Sequence, residues 1–175
     1  MTNKEIRKVL GFGKSHTLPI DGFPLGVTRF QAFLAIKCLL NNKQYWIALR
    51  NAYEGSDNLY EYRHDVNIAF TAEEPMREFL MNKSERNYLD SLPERITIYR
   101  AITEKELEHG SFGVSWTLNK KVASFFAKKY TRNYSTNHLS KTIHQLQIYK
   151  SEIIAFFNGR KEFEIIYIKD KWQPK

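Results

Sequence analysis

The sequence predicts an α+β chain, with an N-terminal helical layer followed by a mainly antiparallel sheet with one inserted helix. Three observations carry this. Up to about residue 92 the apolar residues recur at helical spacing. From Ile96 the period shortens to alternation, and β-branched residues become common. Eight glycines and five prolines in 175 residues are too few for a collagen-like or linker-like chain.

The elements follow in order. Thr28 is placed to cap a helix running to Leu40, apolar on most sides and therefore buried. Asn41 and Asn42 break it. Gln44 to Tyr53 follows, with Trp46, Leu49 and Tyr53 at helical spacing. Gly55-Ser56-Asp57-Asn58 reads as a loop. Thr71 is placed to cap a helix through Leu80. Ser84 is placed to cap another through Leu92, which Pro93 ends. Ile96 to Arg100 alternates as a strand, and Gly113 to Leu118 forms a short one. Asn119 caps a helix to Tyr130 with Val122, Phe125, Phe126 and Tyr130 on one side. Thr131 to Lys141 is a polar, basic loop. Thr142–Tyr149, Glu152–Phe157 and Glu162–Ile168 read as three further strands.

Length and composition fit one domain over 1–175, helical over 1–93 and sheet over 94–175. Apolar residues at 42% and aromatics at 14% exclude a disordered chain. The single cysteine, Cys38, cannot form an intramolecular disulfide, which points to a reducing, cytoplasmic compartment. It sits in an apolar run and reads as a small buried hydrophobe. No run approaches the length of a membrane span, and no apolar signal core follows the basic N-terminus.

The net charge of +8 is unevenly placed. Residues 1–90 hold 12 cations and 11 carboxylates, whereas residues 91–175 hold 15 and 8. The stretch 109–151 has seven Lys or Arg and no acidic residue. It favours an anionic ligand, whether nucleic acid, a phosphate-bearing cofactor or an acidic protein. A solvated basic face is the alternative.

Three polar sets stand out on predicted strands. Arg100 ends the apolar row of Ile96 and Ile98. Ser115 and Thr117 share a face, opposite Trp116. Glu162 and Glu164 share a face with Ile166 and Ile168. Carboxylates continuing an isoleucine row are costly to bury unless paired. A solvent-facing edge strand is the alternative for that pair. Converged, the three sets offer a guanidinium for a phosphate, hydroxyls, and a carboxylate for an oxocarbenium-like sugar centre. That suits cleavage of a glycosidic bond beside a pyrophosphate, as in NAD.

The order of these pieces resembles the R-S-E class of mono-ADP-ribosyltransferases, which includes clostridial-type toxins, vertebrate ecto-enzymes and phage transferases. The pieces are Ile98-Tyr99-Arg100-Ala101, Gly113-Val114-Ser115-Trp116-Thr117, Ala123-Ser124-Phe125-Phe126-Ala127 and Arg160-Lys161-Glu162-Phe163-Glu164-Ile165-Ile166. The resemblance covers residues 95–168. It implies a split-sheet core of ADP-ribosyltransferase type, with NAD as substrate and no metal. It implies that Arg100 holds the NAD pyrophosphate and ribose, and that Ser115 positions the catalytic glutamate. Thr117 supports the site. Phe126 lines the cofactor pocket, or else is a core aromatic. Glu164 is the catalytic carboxylate on the ribose 2′-hydroxyl. Glu162 activates the acceptor, and a glutamate there goes with an arginine acceptor. The turn 156–161, with Phe157, recognises that acceptor. The basic loop 128–141 folds over the cofactor. Two departures are Ala101, where glycine often follows the arginine, and Ser-Trp-Thr, where Ser-Thr-Ser is commoner.

Other readings have less behind them. Gly11-Phe12-Gly13-Lys14-Ser15 lacks the first glycine of a phosphate loop, since position 8 is Lys8. No Gly-x-Gly-x-x-Gly occurs. His16, His64, His109, His138 and His144 show no metal-ligand spacing. A nucleic-acid-binding module, or a transferase acting on nucleic acid through residues 109–151, remains the alternative from the charge. An NAD glycohydrolase, with water as acceptor, is the nearest variant.

Overall fold

A computed structural model describes residues 1–11, 27–57, 59, 61–128 and 141–169. The predicted basic loop at 131–141 and the Tyr130 end of the inserted helix lie outside the described residues, save Lys141. The chain forms two compact units: Met1–Glu61 with Ala72–Leu80, and Tyr62–Thr71 with Met81–Lys175.

The first unit holds α1 (Asn3–Val9), α2 (Arg29–Ile36) and α3 (Asn42–Glu54), with short 3₁₀ turns at Lys37–Leu39 and Arg77–Leu80. Each α-helix opens on a capping box: Thr2 with Glu5, Thr28 with Gln31, Asn41 with Gln44. Phe30, Phe33, Trp46 and Leu49 are fully buried. The Phe33 ring meets Tyr45 edge-on at 5.3 Å. The Trp46 indole donates to the Pro75 carbonyl at 2.9 Å. Two expectations fail here. Cys38 is exposed, because α2 ends at Ile36 and the tighter 3₁₀ turn brings it to the surface. No helix runs from Thr71 to Leu80, since Pro75 interrupts it and only the short turn 77–80 forms.

The second unit carries the sheet. It holds α4 (Arg63–Thr71), α5 (Lys83–Ser91), β1 (Arg95–Thr103), α6 (Glu104–His109), β2 (Ser115–Thr117), α7 (Lys120–Lys128), β3 (Lys141–Tyr149), β4 (Ala155–Phe157) and β5 (Glu164–Ile166). The order is β3-β1-β2-β5-β4, and every pairing is antiparallel. β1 and β3 pair along their full length, from Arg95↔Tyr149 to Thr103↔Lys141. By contrast β1 and β2 share only Tyr99↔Thr117, so the sheet opens there.

Register sorts the side chains onto two faces. One face is the core: Ile96, Ile98, Trp116, Ile148, Phe156 and Ile165, with Met81 and Leu89 packed against it. On the other face a row crosses all five strands: Gln145, Tyr99, Thr117, Glu164 and Phe157. α7 packs on β1, β2 and β3, while α5 packs on β4. α5 is capped by Asn82 rather than Ser84, with Glu85 completing the box. β5 is shorter than predicted, so Glu162 lies in the preceding turn.

Candidate active site

The site is built on β2 and β5 of the second unit. Thr117 pairs with Glu164 and Ser115 with Ile166, which sets the Ser115 and Thr117 hydroxyls on Glu164's face. The Ser115 hydroxyl donates to Glu164 Oε1 at 2.6 Å, the length of a charge-assisted bond. Glu164 is 4% exposed, so its carboxylate depends on such partners. A second comes from Arg160, whose Nη2 lies 3.5 Å from Glu164 Oε2. The same guanidinium meets Glu162, Nε to Oε2 at 3.2 Å. Arg160 therefore bridges the two glutamates.

The Thr117 hydroxyl is spent within the protein. It donates to the Glu162 carbonyl at 2.6 Å and accepts from the Asn119 amide at 3.0 Å. Its role in this geometry is to fix the turn. Lys161 and Phe163, on either side of Glu162, both have left-handed φ, 58° and 49°. Such backbone persists only where its surroundings hold it. Two further ties do so. Buried Glu85 accepts the Asn158 amide at 3.1 Å, and the Asn158 side chain accepts the Phe163 amide at 3.4 Å. The Phe163 ring is tilted against Phe156 and Tyr88.

Arg100 departs from the expected convergence on one face. Its partner in register is His144, and alternation puts both on the core face, opposite Ser115 and Glu164. Its guanidinium still reaches β2. Nη1 donates to the Ser115 carbonyl at 2.6 Å, and Nη2 pairs with Glu106 at 3.1 Å. Gly113 makes room, since a Cβ there would collide with Nη2. Arg100 Nε is buried and bonds to nothing among the described residues. The polar sets thus form one connected chain from Glu106 through Arg100, Ser115, Glu164 and Arg160 to Glu162.

Phe126 lies on α7, edge-on to Phe125 at 5.6 Å. Phe157 pairs with Glu164 across β4 and β5 and is 2% exposed. Its ring therefore packs beside the carboxylate and does not face solvent, where an acceptor protein would approach. On the core face His144 stacks on Phe112 at 5.4 Å, beside Trp116. Burial, with the Lys169 charge beside it, holds the His144 imidazole below its usual range. No group of three or more metal-ligating side chains occurs among the described residues.

Three residues that tie the candidate site together carry a weaker sequence signal. Glu106 closes Thr103-x-x-Glu106 and Glu85 closes Asn82-x-x-Glu85, both capping-box patterns. In each, one carboxylate oxygen serves the cap and the other holds a site residue or the turn. Arg160 had no signal beyond its place in the turn. No helix among the described residues is long and apolar enough to cross a membrane. Compared with known proteins, the chain matches no family model, no curated protein and no solved structure.

Proposed function

We propose that the protein is a mono-ADP-ribosyltransferase, moving ADP-ribose from NAD to an acceptor guanidine, with release of nicotinamide. One observation carries the reading. Arg100, Ser115 and Glu164, far apart in sequence, share a continuous set of hydrogen bonds centred on Ser115. The chemistry needs a carboxylate fixed beside the sugar carbon and a cation near the diphosphate.

In this reading the Ser115 hydroxyl holds Glu164 in one orientation. Glu164 accepts from the ribose 2′-hydroxyl and stabilises positive charge developing at C1′ as the bond to nicotinamide lengthens. The low exposure of Glu164 strengthens that interaction, because little water screens it. Arg100 supplies a fixed positive charge for the diphosphate, while Glu106 and the Ser115 carbonyl hold its plane. Glu162 takes a proton from the acceptor nitrogen, which its strained turn presents. The Glu162 carboxylate meets a guanidinium within its own chain, which supports a guanidine acceptor.

The test uses NAD labelled on its adenylate part, incubated with a cell lysate and wild-type protein or Glu164→Gln. Each product is divided between protease and nuclease digestion. The expected result is label lost to protease and absent with the variant. Label lost to nuclease moves the acceptor to nucleic acid. Equal labelling by wild type and variant overturns the assignment of Glu164.

A further inference from the structure

We propose that the core face of β1, β2 and β3 holds a buried halide ion, bound by Arg100, Trp116 and His144. Three side-chain nitrogens there are closed off from solvent and bond to nothing among the described residues: Arg100 Nε, Trp116 Nε1 and His144 Nε2. They belong to neighbours in one row across the sheet. Arg100 faces His144 in register on β3. The Tyr99↔Thr117 pair sets Trp116 beside Arg100 on β2. The Trp116 and His144 ring centres lie 6.1 Å apart. Buried polar atoms are as a rule satisfied. Only four are unsatisfied among the described side chains, and three of the four are in this row.

The chemistry of the three atoms identifies the missing partner. Arg100 Nε–H and the Trp116 indole N–H can only donate. His144 donates as well when its neutral ring carries the proton on Nε2. The partner is therefore an acceptor. Water would have two protons of its own to place, and the row offers at most one acceptor, His144 Nε2. A halide accepts all three bonds and has no proton to place. Its charge also suits the surroundings. Glu106 offsets the Arg100 guanidinium, but through Nη2, at 3.1 Å. A second cation, Lys169 Nζ, stands 4.7 Å from the centre of the Phe112 ring, on which His144 stacks. Burial first, and then the Lys169 charge, hold the His144 imidazole below its usual range, so positive potential reaches this ring. The Phe112 and Trp116 rings, edge-on at 5.9 Å, offer no further donors to the extra oxygens of an oxyanion.

The first test grows crystals of the full chain in bromide, whose anomalous scattering marks its position. The expected result is a bromide peak in contact with the three nitrogens. An ordered water there, an empty site, or bromide at surface lysines alone overturns the inference. The second test follows melting in solution as chloride replaces gluconate at constant ionic strength. The wild-type melting temperature is expected to rise by about 3–5 °C. Trp116→Phe and His144→Phe each keep a ring and lose a donor, and their melting temperatures rise by about 1 °C or less. Each variant is compared with itself in the two salts, so a lower starting stability does not imitate the effect. No rise in wild type, or equal rises in wild type and both variants, overturns the site. NAD is absent from both tests, so their outcome leaves the transferase reading untouched.

Discussion

Ser115 carries two functions on one residue. Its hydroxyl holds Glu164 and its carbonyl holds Arg100. Ser115→Ala removes only the first. The lost bond to a charged group is worth about 1.5–3 kcal/mol, so kcat for nicotinamide release falls roughly ten- to a hundredfold. The KM for NAD changes less, because Arg100 keeps its partner. Gly113→Ala does the reverse. Its Cβ displaces the end of Arg100 from Glu106 and the Ser115 carbonyl, so the KM for NAD rises about tenfold and the melting temperature falls as well. Steady-state kinetics on the two variants separates the roles. His144 gives a third prediction. Its depressed folded pKa means that the unfolded chain binds the proton more readily. Stability therefore falls as pH drops through about 6.5, the unfolded value. Urea midpoints measured across that range show a slope, and His144→Gln flattens it.

At the scale of elements, the turn between β4 and β5 matters most. It is held by α5 through Glu85 and by β2 through Thr117. Glu85→Ala leaves the Asn158 amide and the Asn82 cap without their acceptor. The expected cost is about 1–3 kcal/mol, read as a lower urea midpoint. Lys161→Gly acts the other way. Lys161 is exposed and left-handed, so glycine there relieves about 1 kcal/mol of backbone strain and raises the midpoint. Much of this level was legible in the sequence. The change of period at Ile96 marked the sheet, and alternation in Ser115-Trp116-Thr117 placed the hydroxyls opposite the indole. Arg100's geometry was not. Alternation gave its face correctly, but convergence depends on where β1 and β2 part after Tyr99, a property of two strands and not of either alone. The ties from Glu85 and Glu106 were hidden because a capping-box glutamate has a second oxygen whose partner lies elsewhere in the fold.

For the molecule as a whole, the positive charge of the second half suits the proposed substrate. An NAD-derived ligand is anionic at its diphosphate, and the cations in 109–151 outnumber carboxylates completely. The division into helices first and sheet second was legible because periodicity survives over whole segments. That α4 and α5 belong to the sheet's unit was not, because long-range packing decides it. Arg160 was hidden for the same reason. Its pairing with two glutamates is set by a turn with two left-handed residues, which spacing alone does not reveal.

In the proposed mechanism the two glutamates divide the labour, with Glu164 cleaving NAD and Glu162 activating a guanidine. The most direct measurement compares nicotinamide release and agmatine labelling for wild type, Glu164→Gln and Glu162→Gln. Glu164→Gln is expected to lose both. Glu162→Gln is expected to lose agmatine labelling and to go on releasing nicotinamide with water as acceptor. Full activity of both variants in both assays, or no nicotinamide from wild type, would contradict it.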